Sequence, residues 1–114
     1  MNLLMARLDL LYSTSTITDR AKLVSTNVIE RYVAETEGEK YTMLITHLAM
    51  AITRIDRNEE LSSPPETIMA EIRSSENTLE ALARIHWIEE VLGEALPIEE
   101  KEYLLLHFVT VLNR

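Results

Sequence analysis

Cysteine is absent from the 114 residues, so neither disulfide staples nor thiolate metal sites are open to this chain. Glycine occurs twice and proline three times, too rarely to punctuate many short strands and tight turns. Basic residues are outnumbered by acidic ones, 11 to 19, and the resulting charge of −8 repels phosphate backbones and anionic lipid surfaces. Direct nucleic-acid binding is therefore not expected. No apolar run approaches the ~20 residues that cross a bilayer, and Arg7 and Asp9 interrupt the apolar N-terminal stretch before it reaches the length of a signal-peptide core. The expectation is a protein kept in the cytoplasm, off the membrane.

Catalytic signatures are missing as well. There is no glycine-rich phosphate loop, no His-Glu-x-x-His and no Gly-x-Ser-x-Gly elbow, so the sequence gives no support to an enzyme. What is present is ordinary globular material, 46% hydrophobic and 26% charged, rich in Leu, Ala, Glu, Ile and Met. Those residues favour helices, and the length suits one domain over residues 1–114. An all-α fold is expected.

The helices can be placed from periodicity and caps. Residues 3–12 put Leu4, Leu8, Leu11 and Tyr12 on one face of a short opening helix, although the segment is brief enough to be a strand. Thr18 is a good N-cap for a helix running from Asp19 to Glu37, with Ala21, Leu23, Val24, Val28 and Tyr32 inward and Gly38 as a left-handed C-cap. A helix over 41–56 carries Leu44, His47, Leu48, Ala51, Ile52 and Ile55 on one stripe. Pro64-Pro65 close a polar loop. A short helix follows over 66–74, then a longer one over 75–92 with Leu79, Leu82, Ala83, Ile85, His86 and Leu92 inward and Gly93 as its cap. The last helix, 98–112, is apolar almost all round, so both its sides must be covered, by a bundle or by a dimer partner.

Three histidines remain as candidate working residues: His47, His86 and His107, each among aliphatic neighbours. Taken singly, a histidine on an apolar face is more often a packed residue than a reactive one. Two of the three have more specific surroundings. Residues 44–55 read LITHLAMAITRI and residues 96–108 read LPIEEKEYLLLHF. Together these resemble the two histidine motifs of the phosphotransferase-system regulation domain, the PRD. Leu44, His47, Leu48, Ala51, Ile52 and Arg54 supply the first motif; Leu96, Pro97, Glu99, Glu100, Tyr103, Leu105 and His107 supply the second. The resemblance extends over about residues 8–112, with the histidines about sixty positions apart.

The resemblance implies a five-helix bundle of PRD type, commonly a homodimer, whose His47 and His107 are phosphorylated by the histidine-containing phosphocarrier protein or by a sugar-permease IIB component. Carbohydrate availability is thereby read as charge and passed to transcriptional or metabolic regulation through protein contacts. Phosphorylation adds roughly −1.5 to −2 charges and strong acceptor oxygens, enough to rearrange a helix contact. Arg54, two turns after His47, is the expected cationic neighbour, and Glu100 is the supporting acid of the second motif. Thr46 stands where an acid often precedes the first histidine, and Lys101 and Glu102 stand where the family has small or aliphatic residues. His86 matches no family histidine. No cofactor is implied.

Two other readings remain open at this stage. One is a metal site in which the histidines converge with Glu89 or Glu100. The other is a non-phosphorylated helical adaptor or dimerisation module. Glu35, Glu37, Glu39, Glu59, Glu60, Glu89 and Glu90 read as a solvated acidic face, and Met43, Met50 and Met69 as core filler.

Overall fold

The computed structural model describes residues 2–113. Asn2 opens the first helix, α1 (Leu3–Ser13), its Oδ1 accepting from the Leu4 and Met5 amides at 2.9 and 3.2 Å. Leu4 and Leu8 turn inward as their spacing requires, while Tyr12 lies outward beneath the Lys22 ammonium, 4.6 Å from the ring centroid. The expected alternative of a strand is thus resolved in favour of a helix. A turn with Ser15 at positive φ leads into α2 (Asp19–Tyr32). Thr18 caps it as expected, Oγ1 accepting from the Ala21 amide at 3.3 Å.

α2 stops five residues before the expected Glu37. The β-branched Val33 takes extended angles, φ −109° and ψ 112°, and only a single 3₁₀ turn, Glu35–Glu37, follows it. There the Ala34 amide donates to Glu37 Oε1 at 3.2 Å. Gly38 is right-handed, φ −53°, and is not the left-handed cap its position suggested: α2 has already ended, and the Gly38 carbonyl instead accepts from Thr42 Oγ1 at the start of the next helix. Leu23, expected inward, is exposed.

α3 (Thr42–Asp56) packs on α2, and α1 packs on both. Buried Ala21, Val24, Val28 and Ile29 of α2 face a unit core completed by Leu44, Ile45, Leu48, Ala49, Ala51 and Ile52 of α3. Polar bonds fix the register between the start of α2 and the end of α3. Buried Thr53 donates to the Ala49 carbonyl at 2.9 Å and accepts from the Thr18 amide at 3.1 Å. Thr18 Oγ1 donates to Asp56 Oδ2 at 2.6 Å, and the Arg20 guanidinium grips Asp56 Oδ1 at 2.7 and 3.0 Å. Arg57 Nη2 donates to the Ser15 carbonyl at 2.7 Å, holding the preceding turn.

The chain divides into two compact units between Glu60 and Leu61. The second unit holds α4 (Glu66–Arg73), α5 (Thr78–Leu92) and α6 (Ile98–Leu112), with α6 packed on both others. α5 begins three residues later than expected. Ser75 Oγ accepts from the Asn77 amide at 3.1 Å and Thr78 Oγ1 donates to the Ile72 carbonyl at 2.7 Å, local bonds that compete with a helix there. Gly93, φ +85°, does form the left-handed cap, its amide donating to the Glu89 carbonyl at 2.9 Å.

The face that α5 buries also corrects the sequence reading. Ile85 and Leu92 are inward as expected, joined by Ala81 and Ile88, whereas Leu79 is 82% exposed and Leu82, Ala83 and His86 lie outward. α5 carries apolar residues on two arcs, and packing on α6 selects the arc containing the β-branched pair Ile85 and Ile88. On α6 every position from Glu99 to Leu112 except Thr110 is buried or half-buried, which meets the expectation that both its sides are covered. Six α-helices and no strand are present among the described residues, where the resemblance implied five. No described helix is long and apolar enough to cross a membrane.

Candidate functional site

Helix geometry decides what each histidine can do. On α3 the buried positions leave a narrow outward arc made of Met43, Thr46, His47, Met50 and Arg54. His47 sits at the edge of that arc and is half-buried, with its Nε2 shielded from solvent. Met43, one turn earlier, is 74% exposed and so is not core filler. Arg54 lies two turns on, on the same face and half-buried, as the spacing required. Between residues 42 and 55 the helix carries no acidic side chain, so the setting of His47 on its own helix is neutral or cationic.

A contact that sequence reasoning missed completes this setting. Arg7 of α1 donates from Nε to Thr46 Oγ1 at 2.7 Å, bringing a guanidinium against the residue next to His47. Thr46, the residue just before His47, therefore ties α3 to α1. The available signal was slight: Arg7 falls one turn after buried Leu4 on α1, at the border of that helix's inward face.

In the second unit His107 is half-buried on α6, between buried Leu105 and Phe108. Glu100, two turns earlier on the same helix face, is 2% exposed, an unusual placement for a carboxylate and one that calls for compensating partners. Lys101 and Glu102 tie α6 to its neighbours. Lys101 Nζ reaches Glu89 Oε1 at 3.8 Å on α5, and Glu102 Oε2 takes Arg73 Nη2 at 2.7 Å on α4. Arg73 also binds Glu66 at 2.6 Å, and the Glu66 carboxylate, ahead of Glu102, raises the guanidinium's pKa. Glu89 further accepts from the Leu96 amide at 2.8 Å, which fixes the entry into the Leu96-Pro97 step of the second motif.

His86 stands apart from both settings. Its side chain is 73% exposed on α5, 3.4 Å from Glu90 and 4.0 Å from Glu89. Among the described residues no three His, Asp or Glu side chains converge as metal ligands, so the metal reading has no ligand set there.

Half-buried imidazoles held on rigid helices can exchange a proton or accept a transferred group while their orientation stays fixed by packing. Comparison with known families gives this arrangement a context. The family model described as PRD domain matches residues 25–111, a span that contains both histidines, Arg54 and Glu100. No curated protein and no solved structure matches the chain.

Proposed function

This chain belongs to the PRD domain family, and from that premise we propose that it is a single regulatory domain, phosphorylated on His47 and His107 by phosphotransferase-system components. The family is one of regulatory modules generally involved in phosphotransferase-dependent control; the specific donors, the phosphocarrier protein or a sugar-permease IIB component, belong to the proposal. So do a cytoplasmic location, a homodimeric state and the absence of enzymatic activity. The output is a change in protein contacts that reports carbohydrate availability to transcription or metabolism.

The observation that carries the reading is the state of the two motif histidines. Both lie within the matched span, and both are half-buried on ordered helices instead of sealed in the aliphatic core. In the transfer, an unprotonated imidazole nitrogen attacks phosphorus while the bond from phosphorus to the donor side chain breaks, and the donor group leaves with that electron pair; with the phosphocarrier protein as donor that bond is phosphorus–nitrogen and the leaving group is its imidazole. No oxidant, metal or cofactor enters the balance. The phosphoryl group then stands at the rim of a packed helix face, where roughly −1.5 to −2 charges shift the balance of neighbouring contacts.

Incubation with phosphoenolpyruvate, enzyme I and the phosphocarrier protein, followed by intact-mass measurement, tests this directly. The wild type gains phosphoryl groups and His47→Ala and His107→Ala each lose one. The adaptor reading is favoured by Thr46, which is tied to Arg7 where an acid often stands, and by the shielded Nε2 of His47. A chain that stays unmodified with every phosphotransferase donor supports that second reading.

A further inference from the structure

Arg7 combines three properties that the family reading does not use. It lies outside the matched span of residues 25–111. Its one hydrogen bond is to a neutral hydroxyl, Thr46 Oγ1, and among the described residues no carboxylate pairs with it. In a chain with 19 acidic side chains, a guanidinium spent on a threonine is a cation without charge compensation. The third property is position, because the bond lands on the residue adjoining His47.

We propose that Arg7 is the counter-ion of phosphorylated His47, and that phosphorylation draws its guanidinium from Thr46 to the phosphoryl oxygens. The proposal rests on the reading of His47 as a phosphoacceptor. A comparison of the neutral contact with the charged one supports it. The bond to Thr46 is exposed and made to a neutral acceptor, a modest interaction in water. A guanidinium–phosphate contact is charge-assisted, can be bidentate and is about twice as strong. No competing charge intervenes: Asp9 of α1 is held by Lys22 at 3.1 Å, and Asp56 at the end of α3 is held by Arg20 and Thr18. Arg54 is the other cation on the outward arc of α3, but its backbone lies about 10 Å along the helix from His47. α1 is thereby the element that phosphorylation moves, since its polar tie to α3 is the bond given up.

The test separates this inference from the identity of the donor. Potassium phosphoramidate phosphorylates imidazole without any protein donor: its phosphorus–nitrogen bond breaks, ammonia leaves and a bond to the ring nitrogen forms. With His86→Ala and His107→Ala as background, folding checked by circular dichroism, only His47 can carry the group. Phosphorus NMR then follows the second ionisation of the phosphoryl group, and nitrogen NMR follows Arg7 Nε.

A neighbouring cation favours the dianion, so Arg7→Gln, which keeps a donor for Thr46 but removes the charge, is expected to raise the phosphoryl pKa by about one unit, a tenfold change in the ionisation constant. Thr46→Val keeps the cation and leaves the pKa near the wild-type value; Arg54→Gln shifts it less than Arg7→Gln. The Arg7 Nε resonance moves on phosphorylation. Unchanged pKa in Arg7→Gln together with an unmoved Nε resonance overturns the inference even if phosphotransferase donors modify His47. Conversely, the expected shifts with phosphoramidate but no modification by those donors uphold it and defeat the proposed function. A His47 that takes no phosphoryl group from either source defeats both.

Discussion

Two fully buried hydroxyls in the first unit make opposite predictions about stability. Ser25 on α2 is 0% exposed and its Oγ has no hydrogen-bond partner among the described residues. Thr53 on α3 is 1% exposed, and its Oγ1 both donates, to the Ala49 carbonyl, and accepts, from the Thr18 amide. Burying a hydroxyl without a partner costs about 1–3 kcal/mol. Ser25→Ala removes that cost and also improves helix propensity by up to about 0.5 kcal/mol, against a small packing loss for one oxygen. The net expectation is a stabilisation of about 1 kcal/mol. Thr53→Val keeps the shape but strands the Thr18 amide at the α2 cap, and the expectation is a loss of about 1–2 kcal/mol. For a domain of this size 1 kcal/mol corresponds to roughly 4 °C in Tm. Urea unfolding at 25 °C and thermal unfolding, both followed by circular dichroism, read both changes. A destabilised Ser25→Ala would refute the reasoning, because it would mean that the hydroxyl is satisfied and contributes to the fold.

Further predictions concern the two glycines and the α2–α3 clasp. Gly93→Ala places a side chain at φ +85° and should cost about 1–2 kcal/mol, although nothing lies within 4 Å of the added carbon. Gly38→Ala, at a right-handed φ of −53° with equally open surroundings, should stabilise by about 0.4–1 kcal/mol through the unfolded chain. Equilibrium denaturation of the pair gives opposite signs if the backbone argument holds. Asp56→Ala removes the acceptor of Thr18 Oγ1 and Arg20; with the carboxylate 21% exposed, the expected loss in urea unfolding is about 1 kcal/mol after allowance for solvent screening.

Much of this was legible in the residues, and the exceptions have physical causes. Caps that depend on one side chain or one conformation could be read locally: Thr18 before Asp19, and Gly93 after Leu92. The end of α2 could not, because nothing in the composition of residues 33–37 forbids a helix; extended Val33 and the Ala34–Glu37 bond end it. The inward face of α5 was misjudged for a different reason. Leu79, Leu82, Ala83 and His86 form as good a helical stripe as Ala81, Ile85, Ile88 and Leu92, so periodicity alone could not choose, and tertiary packing decided. The setting of His47 shows the same division. Its place on a semi-buried face followed from spacing within α3, as did the shared face with Arg54. Arg7 did not, since its bond to Thr46 spans 39 residues and depends on how α1 packs against α3.

Lys101 and Glu102 tie the last helix to the rest of its unit. Each lies on α6 and reaches across to a different helix, Lys101 to Glu89 on α5 and Glu102 to Arg73 on α4. The charges thus hold the second motif's helix by polar ties. Thr46, beside the first histidine, similarly ties α3 to α1 through Arg7.

The most direct measurement of the functional claim is phosphate stoichiometry by intact mass after complete phosphotransferase phosphorylation of three chains: wild type, His86→Ala and the double variant His47→Ala/His107→Ala. The account predicts equal incorporation in wild type and His86→Ala and none in the double variant. Incorporation that survives in the double variant, or that disappears with His86 alone, would contradict it.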